Sequence, residues 1–143
     1  MRALKRWLMR SSMQRALDLN RRISLREAAQ LWSLSDVIYI GPTGPAARRL
    51  PEFKAFRQIA DNTEITEEQI FGLLHHESPA VAGYALELLI RRGSLRLDEA
   101  STLISDRLGE VSMGLGCLVC FQPLGAYARN RILAEQASSS NGG

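Results

Sequence analysis

Apolar residues recur along most of this chain at the three- and four-residue spacing of one helix face, and the interruptions between these runs are residues that start or stop helices. Leu4, Trp7, Leu8, Ala16 and Leu17 predict a first helix from Arg2 to Leu19 that packs by its apolar side, with Arg2, Lys5, Arg6, Arg10 and Arg15 largely elsewhere on its surface. Ser24 and Glu27 form a capping-box pattern, so a second helix starts near Leu25. Its apolar positions Ala28, Ala29, Leu31, Trp32 and Leu34 carry it to about Ser35. Val37, Ile38, Tyr39 and Ile40 then make a short β-prone run that Gly41-Pro42-Thr43-Gly44-Pro45 ends. Residues 35–49 read as a loop joining two helical layers.

Beyond the loop the punctuation is regular. Leu50-Pro51 opens a helix carrying Phe53, Phe56 and Ile59, with proline where a missing N–H costs nothing, and Asp61-Asn62 closes it. Thr66 and Gln69 repeat the capping-box pattern, Glu67 and Glu68 stand at the positive end of the helix dipole, and Ile70, Phe71, Leu73 and Leu74 form the buried side. Ser78-Pro79 starts the most clearly marked helix, with Val81, Tyr84, Ala85, Leu88 and Leu89 on one face, Arg91 and Arg92 in its last turn and Gly93 to terminate it. Ala137 to Gly143 is small and polar and reads as a disordered tail.

An offset of 30 residues superposes Leu73 on Leu103, Leu74 on Ile104, Val81 on Val111, Leu88 on Leu118 and Leu89 on Val119. A helix pair from Thr66 to Gly93 thus finds an echo from Leu97 to Phe121, and the Leu25 and Pro51 helices supply an earlier, degenerate unit. Within this region His76-Glu77-Ser78-Pro79-Ala80-Val81-Ala82-Gly83-Tyr84-Ala85-Leu86-Glu87-Leu88-Leu89 resembles the core of a HEAT repeat: Pro79, Val81, Ala85 and Leu86 match, and Arg107 to Val111 matches more weakly. Ala82 and Ser112 stand where that family usually carries arginine, and the period is shorter than its norm. The resemblance covers Leu50 to Leu124 and implies an interaction scaffold with a groove or convex surface. The expected fold class is all-α: short HEAT-like, α-solenoid repeats over residues 50–136, preceded by basic N-terminal helices over 1–34, in a single domain.

Charge changes the picture at one end only. The net charge is +3, but residues 1–34 hold eight Lys or Arg against Asp18 and Glu27, while the remainder is acidic. Arg2, Lys5, Arg6, Arg10, Arg15, Arg21, Arg22 and Arg26 are therefore the candidate contact residues. A solvated face, a surface for nucleic acid or an anionic protein, and an Arg-rich mitochondrial presequence all account for them. Arg10 interrupts any secretory apolar core. No stretch has the uninterrupted apolar length of a membrane-spanning helix, and the two cysteines do not form a secreted disulfide framework, so a cytoplasmic protein is expected.

Little in the chain points to chemistry. Cys117 and Cys120 have C-x-x-C spacing, but Leu115, Leu118, Val119 and Phe121 around them suggest thiols packed in a helix rather than a zinc or dithiol site. Adjacent His75 and His76 point about 100° apart on a helix, which suits a helix C-terminus better than a shared metal. The 24–37 segment has a helix-turn-helix cadence, yet Val37 to Pro42 cannot form the recognition helix. Gly41-Pro42-Thr43-Gly44 lacks the Gly-Lys-Ser/Thr ending of a phosphate loop. Trp7 and Trp32, at helical spacing with leucines, read as core residues. No catalytic, cofactor or metal residues are assigned. The expectation is a non-enzymatic helical-repeat protein that binds a protein partner as adaptor, inhibitor or toxin-neutralising partner; the alternative is nucleic-acid binding through the N-terminal arginines.

Overall fold

The computed structural model describes residues 2–34, 37–38, 50–105, 110–115 and 118–141. Helix dominates them, as the hydrophobic spacing predicts: α1 (Arg2–Asp18), α2 (Leu25–Ser33), α3 (Pro51–Asp61), α4 (Glu67–Leu73), α5 (Pro79–Arg91), α6 (Leu97–Ser105) and α7 (Leu124–Asn141). Both capping boxes form, with Ser24 Oγ accepting from Glu27 N–H and Thr66 Oγ1 from Gln69 N–H, and each N3 side chain accepting in return. Gly93 ends α5 at φ +67°, a conformation that β-carbon sterics deny most residues.

α5 is the centre of the molecule. Every residue from Ala80 to Ile90 is buried, which is what a helix apolar on all sides requires. α2, α3, α4, α6 and α7 all pack on it, together with β1 (Val37–Ile38) and β2 (Glu110–Leu115). Trp32 of α2 stacks on Tyr84 of α5 at 4.6 Å between ring centroids and 14° between planes, with Phe56 of α3 6.1 Å from Tyr84. The Trp32 indole N–H is satisfied by the Glu52 carbonyl at 3.2 Å. Gly83 lets β1 approach closely: a β-carbon there would sit 2.3 Å from Ile38 Cδ1.

Two departures from the expected pattern lie in the last third of the chain. The segment that echoes α5 is a β-hairpin, not a helix: β2 runs antiparallel to β3 (Leu118–Pro123), from Glu110 opposite Pro123 to Leu115 opposite Leu118. β1 adds in parallel, Val37 opposite Ser112 and Ile38 opposite Met113, giving sheet order β1-β2-β3. Gly109, Gly114 and Gly116 fall where α5 has Pro79, Tyr84 and Leu86, and glycine costs a helix interior about 1 kcal/mol per position. In the sequence, a glycine-led pair between apolar runs is hairpin chemistry. The second departure is that α7 continues through Ala137–Asn141, where a disordered tail is expected; no proline or glycine stands between Gly125 in its first turn and Gly142. Residues 35–36 and 39–49 of the expected loop, residues 106–109 of the weaker HEAT-like match, Gly116, Cys117, and Gly142 and Gly143 lie outside the described residues.

Candidate interaction surfaces

α1 is held to the body by its C-terminal half. Met13, Ala16 and Leu17 are buried, and Lys54 Nζ of α3 stands 2.6 Å from Asp18 Oδ1. That hydrogen bond holds the Asp18 carboxyl below its ordinary range, with Gln14 as a second donor at 2.7 Å. Arg10 reaches the buried Glu52 at the first turn of α3 with two contacts, Nε–Oε1 at 3.0 Å and Nη2–Oε2 at 3.3 Å. Between α1 and α2 the chain is clamped by Gln58, whose Oε1 accepts from Ile23 N–H at 2.6 Å while its Nε2 donates to the Arg21 carbonyl at 3.0 Å.

The N-terminal half of α1 does not pack as expected. Leu4, Trp7 and Leu8 are 58%, 63% and 52% exposed. The reason is angular: at 3.6 residues per turn, the nine-residue step from Trp7 to Ala16 is about 180° around the helix. Leu4, Trp7 and Leu8 occupy an arc of about 100° facing away from the arc of Met13, Ala16 and Leu17. They form a second apolar face, and Trp7 is not a core residue. Trp32 is, with no exposed surface. Beside Trp7, an open groove of about 350 Å³ is lined by Arg10, Ser11, Gln14, Arg15 and Pro51.

The structure splits the eight candidate basic residues. Arg10 is committed to Glu52, Arg21 to Glu27 at 3.0 Å, and Arg22 to Glu64 at 3.1 Å. Lys5, Arg6, Arg15 and Arg26 are exposed and make no ion pair with a described residue. Arg2 is the first residue of α1. They do not form one basic track: Lys5, Arg6 and Arg15 spread around α1, and Arg26 lies on α2.

Arg26 instead borders an open groove of about 560 Å³ between α2 and α4. Leu25, Ala29 and Leu73 supply its apolar part, and Arg26, Gln30, Ser33, Gln69 and His76 its polar part, with no carboxylate among them. His76 follows α4, as expected for a residue at a helix C-terminus, and its Nδ1 accepts from Ser78 N–H at 3.0 Å. Cys120 lies on β3 opposite Met113, so the packed helix expected for the C-x-x-C pair is not formed. Among the described residues no three His, Cys, Asp or Glu side chains converge as a metal site, and no helix is long and apolar enough to cross a membrane.

Two polar clusters escape sequence reasoning. Glu87, the one charged residue inside the buried run of α5, is met from α7 by Arg131 and by the Tyr127 hydroxyl, which donates to Oε1. Burial, and then the neighbouring Glu87 carboxylate, push the Tyr127 hydroxyl well above the ordinary 10.0. Arg92, past the end of α5, donates to the carbonyls of Ile65 at 2.6 Å, Asn62 at 2.8 Å and Ile59 at 3.3 Å, satisfying the C-terminus of α3 and the turn after it. Both are structural ties with no open space for a substrate described beside them.

Comparison with known proteins finds no matching family model, no matching curated protein and no matching solved structure.

Proposed function

We propose that this chain is a non-enzymatic interaction module that binds another protein through the groove between α2 and α4. The observation that carries this reading is the groove's composition: apolar Leu25, Ala29 and Leu73, hydrogen-bonding Gln30, Ser33 and Gln69, and the cation Arg26, with no carboxylate among the described residues that line it. Such a trough suits an amphipathic helix of a partner, laid apolar side down with an acidic residue against Arg26. An adaptor or inhibitor role agrees with the HEAT-like resemblance of the α4–α5 segment, whose helix pairs serve as interaction scaffolds. Nucleic-acid binding is the weaker reading, because Arg10, Arg21 and Arg22 are already paired with carboxylates and phosphate contact draws on unpaired cations.

The test is affinity capture from lysate of the native host at high salt and after nuclease treatment, with the parent chain, Arg26→Glu and Gln30→Trp run side by side. Both replaced residues are exposed, so folding is retained. A protein held by the parent and lost from both variants supports the groove. Equal capture by all three removes it, and capture abolished by nuclease moves the nucleic-acid reading to first place.

A further inference from the structure

The groove leaves the exposed apolar face of α1 without a role, and its chemistry points to a different partner. We infer that the N-terminal half of α1 binds the surface of an anionic lipid bilayer, lying in the interface with Leu4, Trp7 and Leu8 inserted among the lipids. This proposal uses a surface separate from the α2–α4 groove and stands or falls independently of it.

Three observations carry it. The first is direction: the exposed arc of Leu4, Trp7 and Leu8 faces away from the arc that buries Met13, Ala16 and Leu17, so a flat surface meets these side chains with the body of the protein on the far side. The second is charge. α1 contains Arg2, Lys5, Arg6, Arg10 and Arg15 and one acidic residue, Asp18, which is neutralised by Lys54 at the end farthest from Leu4. Over the N-terminal half of α1, leucine and tryptophan on one arc with Lys/Arg on the remaining arcs is the composition of an in-plane interfacial helix. Lys5 stands about 60° beyond Leu8, at the edge of a groove it lines with Met9 and Leu34, and Arg15 follows the apolar arc toward the C-terminus; both are exposed, so their charges can reach headgroup phosphates. The third is the identity of the central residue, since tryptophan concentrates where apolar and hydrated layers meet.

The same charge argues against the competing occupant nearest to hand, a second copy of this chain. An antiparallel pair of α1 helices meeting through Leu4, Trp7 and Leu8 would bring the two basic segments together with no carboxylate between them before Asp18.

Trp7 reports on the proposal directly, because the other tryptophan, Trp32, is sealed in the core and stacked on Tyr84. The full chain is mixed with vesicles of phosphatidylcholine containing about a third phosphatidylglycerol, and with vesicles of phosphatidylcholine alone, and followed by co-sedimentation and tryptophan emission. Binding to the anionic vesicles with a blue shift is expected, weakening as salt is raised. Lys5→Glu and Arg15→Glu should each reduce affinity at least about fivefold, the effect of one surface charge near an anionic leaflet. Leu8→Asp should abolish the blue shift, while Trp7→Phe should remove the signal but keep co-sedimentation. No co-sedimentation with anionic vesicles, binding unchanged by Leu8→Asp, or equal binding to both vesicle types overturns the proposal. Burial of Trp7 by a captured protein in the absence of lipid overturns it equally and assigns this face to that protein.

Discussion

Arg131 of α7 holds Glu87 of α5 by two contacts, Nε to Oε1 at 2.5 Å and Nη2 to Oε2 at 3.0 Å, across 44 residues of sequence. Glu87 is 3% exposed, so its charge is compensated inside the protein or not at all. Arg131→Ala should destabilise the fold by about 3 kcal/mol, read from urea denaturation, because it strands a buried carboxylate. The triple variant Glu87→Leu/Tyr127→Phe/Arg131→Met should recover most of that loss, since it removes the carboxylate together with both groups that hydrogen-bond to it.

The third member of that cluster sets an alkaline limit. Tyr127 is protonated in the folded protein at pH values where the unfolded chain has already released its proton, because burial and Glu87 raise its value above 10.0. Its contribution is therefore complete below pH 10.0 and is lost as pH rises through the folded value. Denaturation midpoints followed upward from neutral pH should fall more steeply beyond this point for the parent than for Tyr127→Phe, and phenolate absorbance from Tyr127 should appear only with unfolding.

Arg92 makes a comparable prediction at the other end of α5. Arg92→Ala removes three charge-assisted bonds to carbonyls of the α3 C-terminus and the turn after it and should cost about 2–4 kcal/mol, less than three independent bonds because one group supplies them all. Arg92→Lys, with a single ammonium in place of the planar fork, should recover only part of the loss.

The two tryptophans should behave as opposites. Trp32→Ala empties a site stacked on Tyr84 and should cost about 3–5 kcal/mol, whereas Trp7→Ala should change stability by less than about 0.5 kcal/mol. In Trp32→Phe the remaining emission should be quenched freely by iodide; in Trp7→Phe it should resist quenching.

Gly83→Ala should destabilise by no more than about 2 kcal/mol, because the added carbon meets the buried Ile38 Cδ1 at 2.3 Å while the gain in helix propensity, about 1 kcal/mol, offsets part of the cost of moving that side-chain end. Shortening Ile38 to valine in the same chain should return part of the loss, a coupling that thermal denaturation of the two single variants and the double variant measures.

These contrasts mark how far the sequence could be read. The helix starts were legible because Ser24 with Glu27, Thr66 with Gln69, and Pro51 and Pro79 act through neighbours three residues away or fewer. The β-prone character of Val37 and Ile38 was legible from β-branching, but their strand was assigned to a loop because its partner, β2, lies more than seventy residues on. The face of Trp7 was misassigned although the information was present: grouping it with Ala16 and Leu17 ignores the half-turn offset that nine residues accumulate. The hairpin was obscured by an apolar echo of α5, when the glycines at 109, 114 and 116 carried the stronger local signal. Glu87 with Arg131, Arg10 with Glu52, and Arg92 with Ile65 are separated by 44, 42 and 27 residues, and no local rule pairs them. The sequence places Arg92 in the last turn of α5, yet its side chain serves the end of a different helix, α3. The α2–α4 groove likewise exists only once α2 and α4 lie side by side.

The enclosure of α5 bears on how the chain is made. Its wrapping comes from both directions, from α2, β1, α3 and α4 upstream and from α6, β2 and α7 downstream. A ribosome delivers the upstream half of that wrapping first, so a newly made α5 stands with one apolar flank bare, and Glu87 without its arginine, until α7 has emerged. In an ordinary stacked array each unit is finished when its neighbour arrives; here the central helix waits for residues more than forty positions away, and the interval before they arrive is when this chain is most open to aggregation or to a chaperone.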